Sequence, residues 1–210
     1  MNNLFFPISL PEELIDPIKV SCIEFWENKF FPRIQKEKLR IHNLYVQPDT
    51  WKTPFQRLKK HLLKEFGLMT SSFILFPTLP NSIKSPHRDG PTHNYSYSAI
   101  NIPIANNENS YQVWWPNYNE DRVVKYSLTE LDGRPGHQFD IVPVCEESEF
   151  DVPDNHRVNI SRPYVVNTNI IHGIDNRYNS THRLVLSLRF SQNLKVENFK
   201  ELILEKRNYL

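Results

Sequence analysis

Two spacings of apolar residues divide the chain. Before residue 70 the apolar positions recur mostly three and four apart, the period of a helix facing a core. Leu14, Ile15, Ile18, Ile23, Phe25 and Trp26 form the first stripe. Ser9, Pro11 and Glu12 read as a capping box ahead of it, and Pro17 is expected to break or kink its start. Phe55, Leu58, Leu62, Leu63 and Phe66 form a second stripe, opened by Thr53-Pro54 and stopped by Gly67. Between the two, residues 39–46 alternate as a strand does.

After residue 70 the pattern shortens. Runs rich in β-branched and aromatic residues occupy 71–79, 95–104, 110–115, 121–128, 137–144, 163–168, 170–174 and 182–190. Turn residues such as Pro80-Asn81, Asn106-Asn107, Pro116-Asn117, Asp132-Gly133 and Asn179-Ser180 separate them. Short strands at this spacing predict an antiparallel sandwich or barrel. Residues 194–208 return to a helical stripe with Val196, Phe199, Leu202 and Ile203. The expected architecture is mainly β: a jelly-roll core with helices at both ends. At 210 residues it fits one domain, with 1–69 as helical support, 70–191 as the core and 192–210 as a closing helix.

Charge and cysteine usage narrow the function classes. A formal net charge of +1 gives no overall field to recruit nucleic acid or an anionic membrane, so a small-molecule or peptide substrate is the expected partner. Residues 29–64 are locally basic and 130–154 locally acidic. Two solvated faces account for both, with a polyanion on the basic half as the sharper alternative. Cys22 and Cys145 lie far apart, as reduced thiols do in a cytoplasmic protein. The N-terminus has no signal-peptide pattern, and no run of 18 apolar residues suits a membrane span. The expected compartment is the cytoplasm.

The chemistry centres on His87-Arg88-Asp89. In a strand, residues two apart share a face, so an imidazole and a carboxylate can meet at one point. His172 follows near the end of the β region, and Arg183 comes eleven residues later, leading an eight-residue run to Phe190. Along that run Arg183, Val185, Ser187 and Arg189 share one face, and Leu184, Leu186 and Leu188 share the other.

Residues 70–190 resemble the non-haem iron, 2-oxoglutarate-dependent dioxygenases, whose signature is His-x-Asp/Glu, a distal His, and a basic residue about ten positions on. The stretches from His87 to Thr92, from Asn101 to Ile104, and from His172 to Leu186 resemble the aspartate/asparagine β-hydroxylase branch in particular. The likeness implies a double-stranded β-helix (cupin-like) core, Fe(II) held by His87, Asp89 and His172, and 2-oxoglutarate as co-substrate. It also implies hydroxylation of an unactivated C–H bond, with release of succinate and CO2. Two imidazoles and one carboxylate on one face of an octahedral ion leave positions open, as iron(II) oxygenases require. Arg183 is the first candidate for the far carboxylate of 2-oxoglutarate, because a guanidinium fork suits it. Arg189 is the reserve, Ser187 shares their face, and Asn101 is a candidate hydrogen-bond donor to the co-substrate.

Other readings stay open. A cupin-like metalloenzyme without 2-oxoglutarate would recruit His93 and have no use for Arg183, and a non-catalytic jelly-roll would need no triad. His42, His61 and His156 read as ordinary surface histidines. Tyr95, Tyr97, Trp114, Trp115 and Tyr164 would line or back a cavity. Residues 145–162, long and polar, are expected to form a lid.

Overall fold

The computed structural model describes residues 4–32, 53–89, 97–129, 135–143 and 145–207. The strand expected at 39–46 and the alternative ligand His93 lie outside these residues.

Among the described residues, eleven strands make two antiparallel sheets. The five-stranded sheet has the order β1 (Phe5–Pro7), β9 (Tyr164–Asn167), β4 (Ser98–Ala105), β11 (Arg183–Phe190), β2 (Thr70–Thr78). The six-stranded sheet runs β6 (Val124–Thr129), β7 (Pro135–Ile141), β3 (Ser82–Asp89), β10 (His172–Asn176), β5 (Tyr111–Trp114), β8 (Arg157–Asn159). Helices flank both ends of the sequence, so the mainly β, jelly-roll expectation stands.

Strand β3 is absent from the apolar runs of the sequence for a physical reason. Its segment SIKSPHRD carries a single aliphatic residue, because several of its positions serve polar chemistry rather than packing. β1 and β8 are three residues each, too short to show a period.

The helices cover the outer face of the five-stranded sheet. α1 (Glu12–Phe25), α2 (Pro54–Phe66) and α3 (Val196–Arg207) bury Ile15, Ile18, Leu58, Leu62, Phe199 and Ile203 against Ile100, Ile102, Leu184, Leu186 and Leu188. The capping box fails, and of the expected break or kink at Pro17 the break does not occur. Pro11 itself caps α1 with no side-chain bond, so the capping box does not form. Pro17 sits inside α1 without ending it: it forgoes one main-chain bond, and the helix runs on into a π-turn at Trp26–Phe30. α2 ends as expected, with Gly67 at φ 67° and Leu68 N–H donating to the Leu62 carbonyl. Arg57, Lys59, Lys60 and Lys64 lie exposed on α2, a solvated basic face.

The alternation of β11 decides what faces inward. With the leucines turned to the helices, Arg183, Val185, Ser187 and Arg189 point between the sheets, and all eight residues of the strand are buried. Residues opposite one another on antiparallel strands share a face. The pairs Val185↔Phe76, Arg189↔Ser72 and Ser187↔Asn101 therefore line the same chamber.

The segment expected as a lid is fastened elsewhere. Phe150 is fully buried with its ring perpendicular to Trp115 at 5.1 Å, and Trp115 Nε1 donates to the Glu149 carbonyl. Arg177 also holds the Glu147 carbonyl and the Asp151 carboxylate. Both rings sit over Gly173, on the side of β10 away from His172. A depression of about 370 Å³ on this outer side is lined by Trp115, Tyr118, Glu149, Asp151 and His156.

Two outcomes follow. Leu186→Ala, at a fully buried site, should lower unfolding free energy by about 2–5 kcal/mol in denaturant titration. Gly173→Ala would place its Cβ 2.8 Å from the Lys84 carbonyl and 3.2 Å from Trp115. Strand β10 must then shift from β3, costing roughly 1–3 kcal/mol in the same titration.

Candidate metal centre

Strands β3 and β10 pair antiparallel with His172 directly opposite His87. Both imidazoles therefore face the chamber, their ring centroids 4.5 Å apart. Asp89 lies two residues beyond His87 on the same face. The three side chains offer ligand atoms that all lie within 4.8 Å of one another, as the His-x-Asp and distal His pattern predicted. Arg88, between them, points to the other face and pairs with Glu120 at 2.7 Å and with Asp140, its cross-strand neighbour, at 3.2 Å.

The protons on the two rings are set by the main chain. Nδ1 of His87 lies 2.9 Å from the Ser85 carbonyl, and Nδ1 of His172 lies 2.9 Å from the Ile170 carbonyl. A carbonyl only accepts, so each Nδ1 carries the hydrogen and donates it. Both Nε2 atoms then present lone pairs, and Nε2 of His87 lies 3.8 Å from Asp89 Oδ1. A second partner on the ring nitrogen is the usual support for a metal-binding histidine.

Electrostatics favour the ligating forms. Burial pushes both imidazoles below their ordinary range, aided at His87 by the neighbouring His172 and Lys84 and opposed at both by Asp89. Burial alone would raise the carboxyl of Asp89, but Arg189, then the two imidazoles and Lys84, hold it well below the usual carboxylate range. The site is thus two neutral imidazoles and one carboxylate, the donor set suited to a divalent transition metal.

Arg189 has a different partner from the one considered for it. Its Nη2 lies 2.6 Å from Asp89 Oδ2, a charge contact across the chamber from the five-stranded sheet to the six-stranded one. Oδ1 is left facing the histidines.

Arg183 stands six residues back along β11 on the same face. It is 2% exposed, and its Nε and Nη2 have no hydrogen-bond partner among the described residues. Burial pushes this guanidinium down to about 9, so it stays charged at neutral pH. Unpaired buried N–H groups on a cation are costly, and a pocket built this way calls for an anion. Ser187 and Asn101 lie between the two arginines. Asn101 Nδ2 donates to Gln112 across the chamber at 3.0 Å, while its Oδ1 and the Ser187 hydroxyl have no partner among the described residues.

Of the aromatic candidates, Trp114 is buried and stacks on Phe5 at 5.1 Å, and Tyr164 meets the same ring edge-on. Trp115 faces outward, and Tyr95 lies outside the described residues. One basic residue escaped the sequence reading. Lys84 lies three positions before His87, where strict alternation would turn it away from the chamber. Yet its Nζ sits 4.7 Å over the ring of Phe76, on the chamber face of β2.

No protein-family model matches the sequence, and comparison with curated proteins gives no match. Among solved structures the chain is similar to HygX from Streptomyces hygroscopicus with nickel and 2-oxoglutarate bound. That match has 9% identity over 89% of this chain and 80% of that one, at a TM-score of 0.53. It is also similar to the epimerase SnoN in complex with Fe3+, alpha ketoglutarate and nogalamycin RO, with 10% identity, coverage of 89% and 77%, and a TM-score of 0.49. AviO1 from Streptomyces viridochromogenes Tue57 aligns at 13% identity over 91% of both chains, with a TM-score of 0.45. Identities this low bear on the fold, and of these three it is HygX that passes a TM-score of 0.5. They do not reach the aspartate/asparagine β-hydroxylase branch. Among the described residues no helix is long and apolar enough to cross a membrane. The chain therefore shares the jelly-roll, double-stranded β-helix fold of HygX, with a His–Asp–His group on its inner wall able to hold a metal ion.

Proposed function

We propose that this protein is an Fe(II)- and 2-oxoglutarate-dependent oxygenase that hydroxylates a small-molecule or peptide substrate. The observation that carries the reading is one chamber with ligands at one place and a buried guanidinium at another. His87, Asp89 and His172 cluster within 4.8 Å, and farther along β11 the Nε and Nη2 of Arg183 have no partner among the described residues. The second feature separates this reading from a cupin-like site without 2-oxoglutarate, which would have no use for a buried guanidinium.

The roles follow from position. His87 and His172 would hold the metal through Nε2 and Asp89 through Oδ1, a donor set that would leave room for further ligands. Arg183 would receive the far carboxylate of 2-oxoglutarate through charge-assisted bonds. Ser187 and Asn101 line the path between that carboxylate and the ligands. When bound, iron with 2-oxoglutarate and dioxygen would supply the oxidising chemistry that releases succinate and CO2. The chain contributes orientation, charge neutralisation and the exclusion of water by the two sheets. α1, α2 and α3, from the two flanking segments, serve the same single domain as its outer cover. Its two free cysteines, Cys22 buried and Cys145 half-buried, suit a reducing cytoplasm.

The wild-type protein should convert 2-oxoglutarate to succinate with oxygen uptake only when Fe(II) is present. His87→Ala and His172→Ala should lose that turnover and bind Mn(II) at least 100-fold more weakly by electron paramagnetic resonance titration. Full succinate release by either variant refutes the ligand assignment. Arg183→Met should raise KM for 2-oxoglutarate roughly 10- to 100-fold, the effect of losing a charged hydrogen-bond donor, while Mn(II) binding is kept.

A further inference from the structure

Lys84 reaches the chamber because of an irregularity in β3. Opposite β10, His172 pairs with His87 but Ile174 pairs with Lys84. Two steps along one strand are met by three along the other, so β3 holds one extra residue within Ser85-Pro86. Such a bulge reverses the alternation on one side of it, which brings Lys84 to the same face as His87 and Asp89. The bulge also supplies the Ser85 carbonyl that fixes the His87 proton. One irregularity serves two chamber side chains.

The position of Lys84 along the chamber can be read from the opposite wall. Asp89 and Arg189 meet at 2.6 Å. Lys84 lies five residues before Asp89, and Arg183 lies six before Arg189. Phe76, whose ring Lys84 covers, pairs with Val185, two residues from Arg183. The ammonium therefore stands level with Val185, next to Arg183 on that face of β11, and its charge reaches both Arg183 and the Asp89–Arg189 contact.

Lys84 forms no ion pair among the described residues. Burial pushes it down to about 8; Asp89 opposes the shift, and Arg183 and Arg189 add to it. Two cations that share a low-dielectric space, each without a counterion, are unfavourable unless an anion enters. Asp89 cannot serve both, since Arg189 already holds its Oδ2.

Resting on the function proposed above, we propose that Lys84 is a second anchor for the far carboxylate of the co-substrate, gripping it together with Arg183. The pair selects for 2-oxo acids that carry a charged distal end. A point-charge ammonium and a planar fork are complementary here: the fork sets the plane, and the ammonium adds charge without demanding geometry.

The test uses the full chain with Mn(II) in place of iron and calorimetric titration of 2-oxoglutarate. Lys84→Met should bind it about 10- to 100-fold more weakly than wild type, and Lys84→Arg should return to within a few-fold. Mn(II) affinity should not weaken in either. Binding of 2-oxopentanoate, which has the same chain length but no distal carboxylate, should be unchanged by Lys84→Met. Thermal unfolding of the metal-free Lys84→Met protein should come no lower than wild type, because an uncompensated charge is removed. A lower unfolding temperature would mark a structural lysine and overturn the proposal. So would wild-type binding of 2-oxoglutarate by Lys84→Met while Arg183→Met loses it, a result that leaves the oxygenase reading intact. If the wild-type Mn(II) protein binds no 2-oxoglutarate, both readings fall.

Discussion

The contact on which the site depends is the pairing of β3 with β10. It sets His172 opposite His87 with ring centroids 4.5 Å apart and brings together residues 85 positions apart in sequence. Everything else in the chamber is placed relative to it. Asp89 follows by strand alternation, Lys84 by the bulge, and Arg189 by the charge contact that spans the two sheets. Gly173 is tied to the same pairing, since a Cβ there would meet the Lys84 carbonyl at 2.8 Å. The strand can approach closely only because that position has no side chain.

The five-stranded sheet contributes in a different way. Its strand β11 is a partition: leucines on one face join the helices in the main apolar core, and arginines on the other stand in the chamber. Buried apolar area of this kind, worth about 25 cal/mol per Å², supplies the stability that lets the inner face hold the Arg183 guanidinium, whose Nε and Nη2 have no partner among the described residues. The polar face is destabilising by itself, and the leucine face offsets it. This division of labour within one strand is how a rigid wall can carry groups that are satisfied only by a ligand.

Much of this was legible in the sequence, and the exceptions share a cause. The β-rich middle, the helical flanks and the two faces of β11 follow from apolar periodicity. The His87–Asp89 pair is legible because its members are two residues apart on one strand. His172 and Arg183 were found through order and spacing, and the fold brings His172 to the pair and Arg183 to the same chamber. Strand β3 itself gave no periodic signal, because its chamber-facing positions are polar. Lys84 was missed because its parity relative to His87 is wrong until the bulge is known, and nothing in Ser85-Pro86 announces a bulge. The engagement of Arg189 with Asp89 depends on which residues of two separate sheets stand level, a property of packing rather than of local sequence. The position of residues 145–162 was likewise misjudged, since the burial of Phe150 beneath Trp115 is a tertiary event.

One feature of the histidines bears on how this protein tolerates change. Both rings are oriented by carbonyls of their own strands, Ser85 for one and Ile170 for the other, two residues upstream in each case. Where an acidic side chain does that job, a single substitution can release the imidazole and let its tautomer drift. Here no replacement of a neighbouring side chain removes the acceptor, because every residue has a backbone oxygen. Sequence drift around the centre can therefore be extensive while ring orientation persists, and only a change in the path of the strand, such as an insertion or deletion at the bulge, would unseat it.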